Sequence, residues 1–366
     1  MDFKLNEDQL AFADSAKALF ADFCAPEQQV AYEAGEAGYM QALWQQCMDN
    51  GLSAIVLNEA AGGLEQGMTE LMAVVIEQGR ALAQVPLWQG QLALQAAAAF
   101  GAQADLGAEA IIALALQAGV RGSEAAGGLV LSGNIGGVAF ADSASHALLA
   151  ADVAGQTRLA LVDLAAAGIT RTAGRNHAQT GVAEIALANV QVPANAVLGA
   201  GAAAWLEPRV IACLAAQQLG VSAEHLKQTV AYVSERKQFE RPIGTFQLVQ
   251  GKMADCQIAV EALRSALYQL AYRLDANLPS TPQAYATRVL ACEAGHLVGH
   301  AAQHVHGGIG VDITYPVHRF GCWSRQLNIA HGGIEQNLAA LGRWIAGNDK
   351  LGWKYDAAEM TQGAAA

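Results

Sequence analysis

A chain of 366 residues with 53% hydrophobic content is long enough to bury a large core and to hold two or three structural units. Its formal net charge of −12 excludes nucleic acid and anionic membranes as bulk partners, since both need a basic footprint. The runs Leu94–Phe100 and Ile111–Leu116 are too short to cross a bilayer, and no basic segment with an apolar core follows Met1, so the expected location is the cytoplasm.

From Asn6, an N-cap with Gln9 three residues on, Leu10, Phe12, Ala16, Leu19, Phe20 and Phe23 recur at helical spacing. Leu43–Met48 and Thr69–Leu82 continue the pattern on either side of the loop Ala61-Gly62-Gly63. An alanine-rich stretch extends the helical reading to about Gln117, so residues 1–118 are expected to form an α-helical domain. Beyond Gly119, short β-type runs alternate with turn residues: Leu129–Leu131, Ala147–Ala151, Leu159–Val162, Gly168–Thr172 and Ile185–Val192. That spacing predicts a small β-barrel or sandwich over 119–201. A helical period returns near Ala202, with long segments at Arg209–Arg236, Phe246–Leu274 and Pro282–Val305 and a fourth helix at Gly333–Ala346. Ser280 and Thr281 before Pro282 make a helix start, and Gly307 a stop. Residues 202–366 are therefore expected to form a helical bundle, and the tail Thr361–Ala366 to be disordered. The fold class is α+β.

Two segments carry the strongest pattern. One runs Arg236-Lys237-Gln238-Phe239-Glu240-Arg241-Pro242-Ile243-Gly244-Thr245-Phe246-Gln247; the other runs His304-Val305-His306-Gly307-Gly308-Ile309-Gly310-Val311-Asp312 and on to Tyr315-Pro316. The first resembles the RxxFGxPIxxFQ signature of acyl-CoA dehydrogenases, with Glu240 replacing the usual glycine. The second resembles the family's QxxGGxGxxxxYP segment, with His304 in the glutamine's place. The opening Met1–Gln9 and the Glu59, Gly62-Gly63, Glu77 and Gly79 positions also resemble family positions, so the likeness spans nearly the whole chain. It implies an N-terminal helical domain, a middle β-barrel and a C-terminal four-helix bundle. It also implies FAD-dependent α,β-desaturation of an acyl-CoA thioester, in which a carboxylate takes the α-proton and the flavin a β-hydride. In the family FAD lies at a subunit boundary, with bundle helices of a neighbour holding its ADP half. On that reading Arg236 offers the pyrophosphate a planar fork of donors. Phe239 covers the adenosine portion, His304 lies beside the cofactor, and Gly307 and Gly308 allow close backbone approach. Taken singly, Phe239 reads as core, Gly307-Gly308 as a helix stop and Arg236 as a solvated side chain.

The resemblance breaks at the base. The family's glutamate sits either in a YEGT segment, which here falls on Ala330-His331-Gly332-Gly333, or on the first bundle helix, where counting back ten residues from Gly220 gives Val210. His331 and Glu207, three residues before Val210, are thus the two candidate bases. A neutral imidazole can accept a proton, whereas an acidic residue next to Pro208 also suits the first turn of a helix starting there. The family's TEPxxGSD-like and WITN-like segments have no counterpart in Ala113–Gly119 and Gly136–Asp142. The HxHGGxGVDxxYPxHRxF arrangement resembles the non-catalytic chains of heteromeric enzymes acting on steroid side-chain acyl-CoAs. The resemblance therefore implies a heterotetramer with a homologous catalytic subunit that supplies base and ring pocket, acyl-CoA as substrate and electron-transferring flavoprotein as acceptor. A self-sufficient homotetramer using Glu207 or His331, and a non-enzymatic scaffold, are the alternatives. No metal is expected. His296, His300 and His304 share a helix face but the outer pair lies about 12 Å apart, and the six cysteines lack CxxC spacing.

Overall fold

Asn6 caps the first helix as its spacing predicts: its side chain accepts from the Gln9 N–H at 2.8 Å, and Gln9 Oε1 accepts from the Asn6 N–H at 3.0 Å. The structure, a computed structural model, describes residues 4–103 and 105–348. Met1–Phe3 of the opening motif and the tail Thr361–Ala366 lie outside the described residues. Helices α1 (Glu7–Phe23), α2 (Pro26–Ala34), α3 (Gln41–Asp49), α4 (Met68–Ala81) and α5 (Gln89–Ala99) form the first group.

The helical reading fails after α5. Ile112–Ala115 is a strand, β1, pairing in parallel with His146–Leu149. Alanine and leucine favour helix in isolation, but a segment covered on both faces can be a strand with no polar alternation. Six more strands follow: β2 (Val120–Ala125), β3 (Gly128–Ala139), β4 (His146–Val153), β5 (Gln156–Asp163), β6 (Ile169–Arg175) and β7 (Gly181–Pro193). They make one seven-stranded sheet in the order β1-β4-β2-β3-β7-β6, with β5 antiparallel along the whole of β4. Side chains alternate across β4 and β5 between two cores. Ala147, Leu149, Ala151, Ala160 and Val162 join the sheet's own interior, whereas Leu148, Ala150, Leu159 and Leu161 join the main helical core.

The bundle begins earlier than Pro208 suggested. Helix α6 spans Ala202–Glu235 and carries Pro208 inside it. Nearby, the Arg209 guanidinium lies 3.7 Å from the Trp205 ring centroid and donates to the Trp205 carbonyl at 2.8 Å. A two-residue hairpin, β8 (Lys237–Gln238) and β9 (Arg241–Pro242), leads to α7 (Gln247–Asp275), α8 (Thr281–His306), α9 (His318–Ile329) and α10 (Gly333–Ala346). Helix α9 went unread in the sequence, because its buried face is narrow: Phe320, Trp323 and Leu327 with Arg319 and Ser324. The first helical group grips the bundle where α4 crosses α6 at two glycines. A Cβ on Gly79 would lie 2.2 Å from the Gln217 carbonyl oxygen, and one on Gly220 would lie 1.9 Å from that of Ile76. Among the described residues no helix is long and apolar enough to cross a membrane.

Candidate active site

One face of α6 presents Val210, Leu214 and Gln217 to a cavity of about 520 Å³ between bundle, sheet and α4–α5. Its sheet side is Leu114, Leu116 and Gln117 with Gly136, Gly137 and Phe140; the opposite wall is the α9–α10 turn, Ala330, His331 and Gly332. Both positions reached by counting from the family motifs, Val210 and His331, therefore line one cavity. Sequence reasoning missed its floor. Gln78 Oε1, Gln89 Oε1, Trp88 Nε1 and Arg175 Nη1 line or border the cavity and are buried without a hydrogen-bond partner. Two acceptors and two donors left so are completed by a bound polar molecule or water. The Thr180 hydroxyl is already engaged, donating to Gln84 Oε1 at 2.8 Å.

The two candidate bases meet. His331 Nε2 lies 3.5 Å from Glu207 Oε1, and the Tyr285 hydroxyl donates to Glu207 Oε2 at 3.0 Å. Glu207 is in the second turn of α6 rather than at a helix start, so it is a partner of His331 and not a cap. The hydrogen bond with His331 holds its carboxyl below the ordinary carboxylate range, against the effect of burial and with help from Tyr285. Burial, and then the Glu207 charge, push Tyr285 up to about 12, so it remains a donor.

His331 is held by its backbone. It has φ +48° and is followed by Gly332 at +78° and Gly333 at +58°, three left-handed residues in succession. A non-glycine residue there persists only when its surroundings fix it. Asn337 Nδ2 donates to the carbonyls of His331 at 2.9 Å and Gly333 at 2.7 Å. Arg288, fully buried, donates to those of Leu327 and Ala330, the latter at 2.6 Å. These carbonyls end α9, so the helix dipole supplies the negative end facing the guanidinium.

The remaining motif residues lie elsewhere. Arg236 follows α6, Gly307 follows α8, and Tyr232 stacks on His306 with ring centroids 4.2 Å apart, which brings the two helix ends together. Arg236, His304, Gly307 and Gly308 are exposed, and a Cβ on either glycine would meet nothing within 4 Å. Phe239 is 86% exposed at the hairpin tip, not core, with φ +52°; Glu240, where the family has glycine, has φ +65°. None of Arg236, Phe239, Glu240, His304, Gly307 and Gly308 lines the cavity.

Comparison with known proteins agrees with this architecture. The N-terminal domain of acyl-CoA dehydrogenases matches residues 6–114 and their C-terminal domain residues 212–346. Acyl-CoA dehydrogenase FadE27 of Mycobacterium tuberculosis is 32% identical over 94% of this chain and 99% of its own. A chain of the ChsE4-ChsE5 complex from Mycobacterium tuberculosis superposes with a TM-score of 0.91 at 31% identity, covering 96% of this chain and 100% of that one. A chain of a Tcur3481-Tcur3483 steroid ACAD variant does so with 0.88 at 33%, covering 93% and 98%. Helices, sheet and bundle in this order, with the cavity between them and relatives matched end to end, place the chain in the acyl-CoA dehydrogenase family.

Proposed function

We propose that this chain is one subunit of a heteromeric FAD-dependent acyl-CoA dehydrogenase, holding the ADP half of a FAD whose ring pocket and catalytic base belong to a homologous sister chain. The observation that carries the reading is the absence of a free carboxylate from both base positions. Val210 is apolar, His331 is an imidazole, and Glu207 is turned to His331 and Tyr285. The family's cofactor is FAD, which accepts the β-hydride when bound.

The residues at the bundle end fit the diphosphate half of FAD. Arg236 makes no ion pair among the described residues, so its fork is available to phosphate oxygens. Gly307 and Gly308 leave open space where side chains would stand, with His304 one turn before them and Phe239 extended into solvent. All five face outward, as a cofactor shared across a subunit boundary requires. Ile313 at 77% exposure, with Leu338 and Ile345 on α10, adds apolar surface that assembly with a sister chain would cover. The likeness to a steroid ACAD favours a steroid-derived acyl-CoA as substrate, and the family resemblance implies electron-transferring flavoprotein as electron acceptor.

The deciding measurement is FAD bound per chain, read from flavin absorbance, with and without the co-expressed sister. The chain alone is expected to be colourless and the pair yellow and active, and Arg236→Ala to lower the flavin content of the pair at least tenfold. A fully flavinylated, active homomer sinks the proposal.

One observation favours a second reading, a self-sufficient homotetramer: Glu207 and His331 form a pair at the cavity, the carboxylate orienting the imidazole as a base. There, Glu207→Gln lowers kcat at least a hundredfold with flavin retained. In the heteromer it leaves kcat within about twofold.

A further inference from the structure

Five of the chain's nine histidines meet at one cavity of about 250 Å³. His296 and His300 come from α8, His318 from α9, His225 from α6 and His177 from the loop before β7, and α9 adds Arg325. No aspartate or glutamate lines it, although the chain carries 33 acidic residues against 21 basic ones. The local balance of charge is thus the reverse of the whole.

The chemistry of each group follows from its partners. His296 and His300, one turn apart, bring their ring centroids to 4.3 Å, a spacing at which two protonated rings repel unless an anion joins them. His318 Nδ1 donates to the Tyr315 carbonyl at 2.8 Å, so its Nε2 accepts while the ring is neutral and donates once it is protonated. His225 is buried, with Nδ1 unpartnered; burial, then the neighbouring His306, lower it to about 4, so it stays uncharged near neutrality. Cys322, also at the cavity, is raised by burial and stays a thiol. Glu33, the carboxylate that acts on Cys322, is held in a two-point pair by Arg319 at 2.5 and 2.7 Å. Asp312, between the cavity-lining Val311 and Ile313, acts on His318 by its charge, but its Oδ1 accepts from the Thr314 N–H at 2.8 Å and hydroxyl at 2.7 Å and its side chain lies outside the cavity lining. Among the described residues no group of three ligands is arranged for a metal ion.

We propose that this cavity binds a phosphoryl anion, held by His296, His300, His318 and Arg325, and holds it more tightly as these imidazoles protonate. A phosphoryl group offers three acceptor oxygens to that donor set, more than a carboxylate can. The site goes beyond the proposed FAD contacts, since none of Arg236, Phe239, His304, Gly307 and Gly308 lines it.

Calorimetric titration of the full chain in complex with its sister tests this, with inorganic phosphate and with adenosine 5′-diphosphate, at pH 6 and pH 8. Phosphate is expected to bind at least tenfold more tightly at pH 6. Phosphate itself carries less charge there, so the gain would come from the histidines. The exposed pair His296→Gln with His300→Gln is expected to lose at least tenfold in affinity at pH 6 with flavin absorbance unchanged. Loss confined to inorganic phosphate identifies a free-phosphate site, and loss extending to the diphosphate identifies a nucleotide site. No binding at pH 6, equal affinity at both pH values, equal affinity in the variant, or loss of flavin with the phosphate would each overturn the proposal. Flavin content is read separately, so failure here leaves the subunit proposal standing.

Discussion

Replacing Gly220 with alanine tests whether the α4–α6 crossing sets the frame for the cavity. The added Cβ would stand 1.9 Å from the Ile76 carbonyl oxygen and 2.7 Å from the Arg80 nitrogen, both backbone atoms within a helix. Even a 3.0 Å contact, the lower edge of what real Cβ atoms show, needs the helices to part by about 1.1 Å. A gap of about 1 Å forfeits up to half of each dispersion contact across the interface, and overpacking of this kind costs up to about 3 kcal/mol. For a chain of 366 residues that lowers the melting temperature by roughly 4 °C. Gln78 and Gln217 flank the crossing and line the cavity, so the pocket should loosen with it. Thermal unfolding of Gly220→Ala, followed by circular dichroism, is compared with Gly251→Ala on α7, where a Cβ meets nothing within 4 Å. The control should be neutral or slightly stabilising, because alanine is the better helix former. A Gly220→Ala melt within 1 °C of the parent, or an equal loss in the control, would refute the reasoning.

Two further outcomes follow from titratable groups. His225 falls from 6.5 to about 4 on folding, chiefly through burial. A lowered folded value gives stability that is complete above about pH 6.5 and lost as pH falls towards 4. At about 1.4 kcal/mol per tenfold in proton affinity, this amounts to about 3 kcal/mol. Urea midpoints across that range should fall less steeply for His225→Gln than for the parent, and parallel curves would contradict the assignment. Tyr285→Phe removes a hydrogen bond to the Glu207 carboxylate, for a loss of about 1 kcal/mol at this partly exposed site. It should also raise the Glu207 titration midpoint in carboxyl carbon NMR; an unmoved midpoint would place the hydroxyl outside the pair.

Local signals carried much of the architecture. The Asn6–Gln9 capping box, the five longer β runs and the glycine stop at 307 all lie where turn chemistry and periodicity put them. β1 and the start of α6 did not, because tertiary burial overrode local preference. Ile112–Ala115 reads as helix until β4 lies beside it, and Pro208 looks like a beginning although six helical residues precede it. Counting from motifs brought Val210 and His331 to one cavity, yet spacing could not reveal that Glu207 and His331 touch across 124 positions of sequence. Gln78, Trp88, Gln89 and Arg175 gave no signal, since an unpartnered atom exists only once the surroundings have closed over it. Five histidines converging from four segments were equally invisible, apart from the two spaced one turn apart.

Strands β4 and β5 belong to two interiors at once, and this limits how far the chain is modular. Cutting out the sheet at residues 119 and 201 would strip Leu148, Ala150, Leu159 and Leu161 of the helices that cover them and discard β1, the parallel neighbour of β4. Neither fragment would keep an intact interior. The cooperative unit is thus the whole polypeptide, and a lesion deep in the sheet should be felt at the far bundle.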